Sequence, residues 1–286
     1  MGVGSFLPSY NKVQILRMNE REGIVKELEI NETWPVSKIL WLPKPDEATQ
    51  PDQDFLCTSS DWLRLYPLKK FEQTGKYVQA GETIELINHS DYCQPITSFD
   101  WNQIDYKTIA SASIDSSVTI WNIELREITT QLVAHEKAVY DISFSVLDET
   151  IFATVGEDGS VRLFDTRELR NSNIVYENND KGAGLTHIKW NLRDSNLMAV
   201  VQEDDHNVML FDKRKPSMII EKLNHENKVT AIAWSPSEAN MICSVGEGGR
   251  ALIWDLNDPN NEGSVDEAKT GAGHGQDSRS NQSMMR

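Results

Sequence analysis

Two Asp-x-Arg triplets are the part of this sequence whose residue types and spacing best fit a chemical role. They lie at 165–167 and at 212–214, and each follows a short apolar stretch that ends in phenylalanine. A guanidinium can donate two parallel hydrogen bonds to a planar acceptor, and a nearby carboxylate can fix its orientation. The alternative is a local surface ion pair, which contributes about 0–1 kcal/mol. We predict a binding role for four residues: Asp165, Arg167, Asp212 and Arg214.

The sequence lacks the motifs of the common enzyme classes. It contains no GxSxG, no HExxH, no phosphate-binding P-loop and no dinucleotide fingerprint. The cysteines Cys57, Cys93 and Cys243 are far apart and form neither a CxxC pair nor a Cys/His cluster. Acidic residues such as Glu157 and Glu203 fall in separate turns, so nothing pairs two carboxylates with a nucleophile or a metal. We predict a protein that is not an enzyme and that has no cofactor and no metal site.

The charge of the chain is strongly acidic. It has 28 Lys and Arg against 44 Asp and Glu, a formal net charge of −16. Such a surface repels phosphate backbones, so we predict no direct nucleic-acid binding; the charge can serve solubility or favour basic partner segments. No apolar run approaches the roughly 18 residues needed to span a bilayer, so we predict no membrane contact. The absence of a disulfide framework fits a reducing compartment, and we predict a cytoplasmic and nuclear protein.

An internal repeat organises the chain. In four copies, a strand ending in an aromatic residue is followed 20 or 21 residues later by a second strand-ending aromatic. The second aromatics, Trp121, Phe164, Phe211 and Trp254, follow one another at steps of 43, 47 and 43 residues. A period of about 40–45 residues with four strands per unit is typical of a WD-repeat β-propeller. The first strands read TSFDWN (97–102), YDISFS (140–145), THIKWN (186–191) and TAIAWS (230–235).

Five recognisable repeat units plus a partial one predict an all-β propeller. A degenerate unit runs from KILWLP (38–43) to FLCTSSDWLRLY (55–66), and NKVQIL (11–16) is a fragment before it. The apolar strands fit sheets that are sandwiched between neighbouring blades, with both faces buried. We predict a propeller over residues 1–256 and a disordered low-complexity tail over 257–286, where no periodic apolar pattern is present.

Polar residues at fixed places in the repeat are predicted to stabilise its turns. Asp115, Asp158 and Asp205 lie six residues before a strand-ending aromatic, where an aspartate can bond the amides of a tight turn. His135 and His225 each precede a first strand. A lone histidine in such a loop is expected to form turn hydrogen bonds rather than to catalyse a reaction.

Two further aromatic residues are candidates for contact with a partner. Trp62 and Tyr92 lie in polar, loop-like surroundings. Aromatic residues are frequent among interface hot spots, which favours a binding role. Buried packing is the alternative for both, and we favour it.

The sequence resembles WD-repeat proteins of the Transparent Testa Glabra and DDB-one-and-cullin-four-associated factor type. The resemblance covers about residues 2–256 and follows individual blades, in stretches such as IASASIDSSVTIWNIE, LVAHEKAVYDISFS and ATVGEDGSVRLFDTR. It implies a seven-bladed, non-catalytic scaffold that docks protein kinases and transcription regulators, as a monomer within a hetero-complex. The two Asp-x-Arg triplets resemble boxes that bind the adaptor of a cullin-type ubiquitin ligase, which implies the alternative role of substrate receptor. A propeller enzyme is a third alternative, and it requires polar groups converging on the central channel.

The sequence does not supply the complete seven-bladed ring that this resemblance implies. The chain begins inside what resembles the first blade, and the tail from residue 257 stands where a closing blade is expected. An open ring exposes two blade faces, which favours aggregation. Truncation, closure with fewer blades, or a partner over the gap are the alternatives, and we favour truncation.

The sequence also departs from these relatives in the hydrogen-bonded Ser/Thr–His–Asp–Trp network of their blades. The unit with His135 and Asp158 ends in Phe164, which has no indole donor. In the unit with His225, Gly248 stands where an aspartate is expected. No unit carries the whole set, so we expect the blades to depend more on packing.

Overall fold

A computed structural model gives the fold. The residues it describes are 1–5, 10–19, 23–43, 54–71, 76–88, 94–178 and 183–258, with the backbone of 264–265. Every regular element among these residues is a β-strand, and the strands form six antiparallel sheets, blades 1 to 6 in chain order. The sheets confirm the prediction of an all-β propeller with repeated four-stranded units.

The strands are numbered in chain order. Blade 1 contains β1 (Gly2–Gly4), β2 (Asn11–Asn19) and β3 (Gly23–Glu32). Blade 2 contains β4 (Lys38–Trp41), β5 (Asp54–Ser59), β6 (Leu63–Lys70), β7 (Tyr77–Gln79) and β8 (Ile84–Leu86). Blade 3 contains β9 (Ile96–Trp101), β10 (Thr108–Ser113), β11 (Ser117–Asn122) and β12 (Glu127–Val133).

The other three blades repeat the four-stranded pattern. Blade 4 contains β13 (Val139–Phe144), β14 (Ile151–Gly156), β15 (Ser160–Asp165) and β16 (Glu168–Glu177). Blade 5 contains β17 (Leu185–Trp190), β18 (Leu197–Gln202), β19 (Asn207–Asp212) and β20 (Ile219–Asn224). Blade 6 contains β21 (Val229–Trp234), β22 (Met241–Gly246), β23 (Ala251–Asp255) and β24 (Ser264–Val265).

The number of blades corrects the prediction of five units and a partial one. The fragment 11–16 belongs to a complete hairpin, in which β2 pairs with β3 from Asn11↔Glu32 to Asn19↔Gly23. The sequence of β3, GIVKELEINE, has charged residues on its half-exposed face, so it lacks the apolar run of the later blades. Blade 1 is therefore a three-stranded sheet rather than a fragment.

The structure describes only part of the predicted tail, residues 257–286. Ser264–Val265 pairs with Leu252 and Ile253, which adds a short fourth strand to blade 6. The remaining residues of the predicted tail from 259 onward lie outside the described part of the chain.

The core consists of five clusters, each shared by two consecutive blades. Strand β11 is rich in β-branched residues and has both faces buried, as the position of a central strand between two blades requires. Leu56 and Tyr66 of blade 2 pack with blade 1, and the other clusters join blades 2–3, 3–4, 4–5 and 5–6 in the same way. The repeat aromatics are all buried, as predicted: Trp101, Trp121, Phe144, Phe164, Trp190, Phe211, Trp234 and Trp254.

Candidate partner-binding site between the Asp-x-Arg triplets

The first triplet forms a closed ion pair at the end of β15. The Asp165 Oδ1 atom accepts hydrogen bonds from the backbone N–H and the Nε atom of Arg167, both at 2.9 Å. The Nη2 atom of Arg167 donates to Asp165 Oδ2 at 2.6 Å. These bonds form a short turn that holds the guanidinium, whose side chain is still 71% exposed. Hydrogen bonding from Arg167 lowers the pKa of Asp165 below its ordinary value.

The second triplet repeats this geometry at the end of β19, one blade further. Arg214 donates from its backbone N–H and from Nε to Asp212 Oδ1, both at 2.9 Å. Its Nη2 atom donates to Asp212 Oδ2 at 2.7 Å, and its side chain is 65% exposed. Hydrogen bonding from Arg214 lowers the pKa of Asp212. Each aspartate is thus ionised and orients its arginine.

The free edge of each guanidinium is suited to a partner. A guanidinium has five N–H donors in a fixed fork. The side-chain bonds to Asp165 and Asp212 use Nε and one N–H of Nη2, so the end formed by Nη1 and Nη2 carries the remaining donors. That end can donate two parallel bonds to a carboxylate or a pair of carbonyl oxygens.

A cleft of about 620 Å³ joins the two triplets. Asp165 lies on its blade 4 side and Arg214 on its blade 5 side. Leu163 and Phe164 add apolar surface to the same lining. The cleft therefore combines an apolar floor with a fixed cationic group and flanking polar residues, as protein-binding surfaces do.

The two aromatic candidates are not part of this cleft. Trp62 lies in the turn between β5 and β6 and is half-buried. Its ring faces the guanidinium carbon of Arg64 at 4.9 Å, and its Nε1 atom is buried without a hydrogen-bond partner in the described part of the chain. Tyr92 lies outside the described residues. Partner contact by either residue stays a prediction.

The His135 network stabilises blade 4. His135 is buried, with Nδ1 at 2.9 Å from Asp158 Oδ1 and Nε2 at 2.8 Å from Thr154 Oγ1. Asp158 Oδ1 also accepts the backbone N–H of Ser160 at 3.0 Å. Burial alone raises the pKa of Asp158, but hydrogen bonding and the charge of His135 outweigh it and lower that pKa. These contacts close the turn and link it to the preceding loop.

The other turn residues have fewer partners. Asp115 Oδ1 accepts from the backbone N–H of Ser117 at 2.9 Å, and Asp205 Oδ1 accepts from the backbone N–H of Asn207 at 3.2 Å. His225 is buried, yet neither ring nitrogen has a hydrogen-bond partner among the described residues. The aspartate that pairs with His135 in blade 4 is replaced here by Gly248, which explains the unpaired imidazole.

Sequence reasoning missed an equivalent network in blade 2, in which a glutamate takes the place of the histidine. Glu32 Oε1 accepts hydrogen bonds from Thr58 Oγ1 at 2.9 Å and from the Tyr66 hydroxyl at 2.6 Å. Its Oε2 atom lies 3.5 Å from Nη1 of the buried Arg64. Burial, the hydrogen bond to Glu32 and its charge raise the pKa of Tyr66. The position of Glu32, just before a first strand like His135, is the signal that could have revealed it.

A second missed group is a cluster of charged side chains on the adjacent first strands β4, β9, β13 and β17. Asp141 Oδ1 accepts from Ser98 Oγ at 2.6 Å and from Lys38 Nζ at 3.2 Å. Its Oδ2 atom accepts the backbone N–H of Ile188 at 3.1 Å and lies 3.7 Å from Lys189 Nζ. This central cluster therefore binds four blades together.

The charges of the central cluster are fixed by one another. Burial raises the pKa of Asp141, but the charges of Lys189 and Lys38 outweigh it and hold that pKa well below its usual range. Burial lowers the pKa of Lys38. Asp100 Oδ2 accepts the backbone N–H of Phe144 at 2.7 Å, and burial raises its pKa. This is the convergence of polar groups that a propeller enzyme requires, but its acceptors are engaged in holding strands together.

The described ranges contain neither a cluster of metal-binding side chains nor a membrane-spanning helix. No group of three or more His, Cys, Asp or Glu side chains there could hold a metal ion. No helix in that part of the chain is long and apolar enough to cross a membrane. Cys57 and Cys243 are free thiols, and burial raises the pKa of each.

The repeated four-stranded sheets and the exposed Asp-x-Arg triplets define a propeller of the kind that binds other proteins. The chain belongs to the WD-repeat β-propeller family. It is 37% identical over 261 residues to the "DDB1- and CUL4-associated factor 7 homolog" of Dictyostelium discoideum, which covers 90% of this chain and 77% of that protein. A family model described as the NUP159/214 beta propeller matches residues 95–278.

Two fungal proteins are also similar to the chain. A WD repeat-containing protein of Saccharomyces cerevisiae is 31% identical over 283 residues, covering 87% of this chain and 53% of that protein. An uncharacterized WD repeat-containing protein of Schizosaccharomyces pombe is 30% identical over 275 residues, covering 88% and 62%. The chain thus spans about half to two thirds of the length of these fungal relatives. WD-repeat similarity supports a protein that works with protein partners.

Proposed function

We propose that the chain is a non-catalytic scaffold that docks regulatory proteins, protein kinases and transcription regulators among them, into larger complexes. The observation that carries this proposal is the pair of Asp-x-Arg triplets in successive blades, of which Asp165 and Arg214 line one cleft. Arg167 and Arg214 are both oriented by their own aspartates and both keep most of their side chains exposed. An arginine that is held in place in the free protein loses little freedom on binding, which favours affinity.

A substrate receptor of a cullin-type ubiquitin ligase is the second candidate. The name of the Dictyostelium relative includes DDB1 and CUL4. The triplets resemble the adaptor-binding boxes of such receptors, and they occur in successive blades on a shared cleft. In this candidate the cleft receives the adaptor, and another surface of the propeller receives the substrate. We propose a cytoplasmic and nuclear location and a monomer within the complex for either role.

Capture of purified DDB1 by the immobilised protein tests the receptor role. We expect the double variant Arg167→Ala, Arg214→Ala to reduce capture at least about tenfold, because each charged hydrogen bond contributes about 1.5–3 kcal/mol. Arg193 and Arg250 are exposed and lie outside the cleft, so Arg193→Ala, Arg250→Ala is the matched control. The double variant Arg167→Ala, Arg214→Ala is called the cleft variant below. Undiminished capture by this variant would rule out the triplets as adaptor contacts.

Affinity purification from native cells separates the two candidates. A scaffold is expected to bring down kinases or transcription regulators in amounts that fall in the cleft variant and not in the control variant. A receptor is expected to bring down the adaptor in stoichiometric amounts. Recovery of the same partners by the wild type and the cleft variant would contradict a docking role for the cleft.

A further inference from the structure

A cavity between blades 1 and 2 lies far along the chain from the Asp-x-Arg cleft. It has a volume of about 370 Å³ and is lined from β2 and β3 on one side and from Lys70 and Tyr77 on the other. Cavities that hold small molecules measure about 300–1,000 Å³, so this one suits a single ring-sized group. Its lining includes Ile15, Leu16 and Ile24, which make it largely apolar.

One residue of this lining, Glu27, has a buried polar atom without a partner in the described part of the chain. The side chain of Glu27 is only 1% exposed, and its Oε1 atom accepts a hydrogen bond from Arg17 Nε. Its Oε2 atom is buried and has no hydrogen-bond partner among the described residues. A buried carboxylate oxygen without a donor is unfavourable by about 1–3 kcal/mol or more, so a donor that reached it would be bound with a gain.

The other charges of the lining select the kind of donor. Arg17, Lys70 and Met1 with its ammonium group all line the cavity, so cations outnumber the single carboxylate of Glu27. A partner lysine or arginine would be repelled by this excess of positive charge. An aromatic ring is favoured, because cations are attracted to its face. Lys70 Nζ already lies 6.0 Å from the ring centre of Tyr77.

We propose that this cavity binds an aromatic side chain that carries an N–H or O–H donor, a tryptophan or tyrosine of a partner protein. The ring occupies the apolar space beside Ile24, its donor bonds Glu27 Oε2 once that side chain turns toward the cavity, and Arg17 and Lys70 lie beside the ring. Tryptophan and tyrosine are the residues most enriched at interface hot spots, because they join a large apolar body to one polar atom. The cavity is a second docking point, independent of the cleft between blades 4 and 5.

Two isomeric probes test the donor. 3-Methylindole keeps the indole N–H, whereas 1-methylindole has the same size and lacks it. Titration followed by ligand-observed NMR is expected to show 3-methylindole binding at least about tenfold more tightly, as expected for a hydrogen bond to a charged group. In Glu27→Leu, which removes the acceptor, the two isomers are expected to bind equally. Equal affinity of the isomers for the wild-type protein would overturn the proposal.

Two matched variants test the location. Ile24 and Ile220 are both exposed isoleucines on outer strands, 60% and 44% respectively, and only Ile24 lines the cavity. Ile24→Lys is expected to abolish 3-methylindole binding, and Ile220→Lys is expected to leave it unchanged. Loss in both variants or in neither, with circular dichroism confirming that both are folded, would overturn the assignment.

The source of the ring is tested with N-acetyl-tryptophanamide, which carries the backbone amides of a peptide. Binding at least as tight as that of 3-methylindole supports a side chain of a partner protein. Exclusion of the amide while 3-methylindole binds would overturn the protein source. Binding that appears only in Lys70→Met would show that Lys70 already occupies the carboxylate, and it would overturn the proposal as well.

Discussion

The Nζ atom of Lys38 in blade 2 donates a hydrogen bond to Asp141 in blade 4, 103 residues further along the chain and 3.2 Å away in space. Blade 3 contributes Ser98, whose hydroxyl bonds both residues, at 2.6 Å to Asp141 and 3.0 Å from Lys38. The bond therefore ties together two blades that share no core cluster. The carboxylate is buried and the lysine is largely buried, so each charge depends on the other for stabilisation.

The Asp141 carboxylate is expected to be critical for folding. Asp141→Asn keeps the shape of the side chain but removes the carboxylate that contacts Lys38 and Lys189. Because removing one partner of a buried ion pair costs about 3–5 kcal/mol, we expect a loss of that size in the free energy of unfolding by urea. Asp204 pairs with Lys228 on the surface, so Asp204→Asn is the control, with an expected change within about 1 kcal/mol. Similar small changes in both variants would contradict this role.

Acid is expected to weaken the protein through Asp158. Its folded pKa is lowered, so its contribution to stability is present above the unfolded value of about 3.9 and is lost as pH falls through the lower folded value. The free energy of unfolding of the wild type should therefore fall from about pH 4 downward. In Asp158→Asn the free energy of unfolding should change less steeply with pH over this range, because the variant lacks one carboxylate that takes up a proton on unfolding. Equal slopes in urea titrations from pH 5 to pH 2 would show that Asp158 is not shifted.

Gly248→Asp is expected to stabilise blade 6. Turn 246–250 matches turn 156–160, with glycines at φ 72° and φ 74° in Gly249 and Gly159, so a new aspartate can reach the unpaired His225 as Asp158 reaches His135. The exposed side chain of Asn227 must rotate, since its amide nitrogen would lie 2.7 Å from the new Cβ atom.

The expected gain is about 0.5–2 kcal/mol, measured as a rise in the thermal midpoint. Gly249→Asp adds the same charge one residue later, but its positive φ strains a side chain, so no gain is expected there. An equal rise in both variants would point to charge alone rather than to pairing with His225.

The hydrogen bonds of Glu32 are expected to stabilise blade 2 in the same way as those of His135 stabilise blade 4. Glu32→Ala removes the acceptor for Thr58 and Tyr66 and one anion beside Arg64, and we expect a loss of about 1–3 kcal/mol in the free energy of unfolding. Glu85 also contacts Arg64, at 3.3 Å, but its side chain is 44% exposed. Glu85→Ala is therefore the control, with a change within about 1 kcal/mol. A larger effect at Glu85 than at Glu32 would contradict the assignment.

The repeat made blades 3 to 6 predictable from sequence. Each has an aromatic such as Trp101 or Trp121 at both ends of a 20- or 21-residue interval, because the same packing position recurs in every blade. Blade 1 could be recognised in this way only as a fragment. Its outer strand β3 is stabilised by surface ion pairs such as Lys12–Glu29 rather than by a buried aromatic, so the periodic signal is absent.

The site was predictable only where its residues are close in sequence. Asp165 and Arg167 are two residues apart, so their spacing alone suggests the ion pair that the structure contains. The contact of Asp141 with Lys38 and Lys189 requires strands of blades 2, 4 and 5 to be adjacent, which no local pattern indicates. Considered one at a time in the sequence, Lys38, Asp141 and Lys189 cannot be distinguished from charged residues of the surface.

The shared cores have a consequence for how the molecule opens. Blades 2 to 5 each contribute to two of the five clusters, whereas blades 1 and 6 each contribute to one in the described part of the chain. In an array with such nearest-neighbour coupling, local opening has its lowest free energy at the ends. Amide hydrogens should therefore exchange fastest in β2 and β22 and slowest in β10 and β14. The first and last blades would then open locally more often than the blades between them.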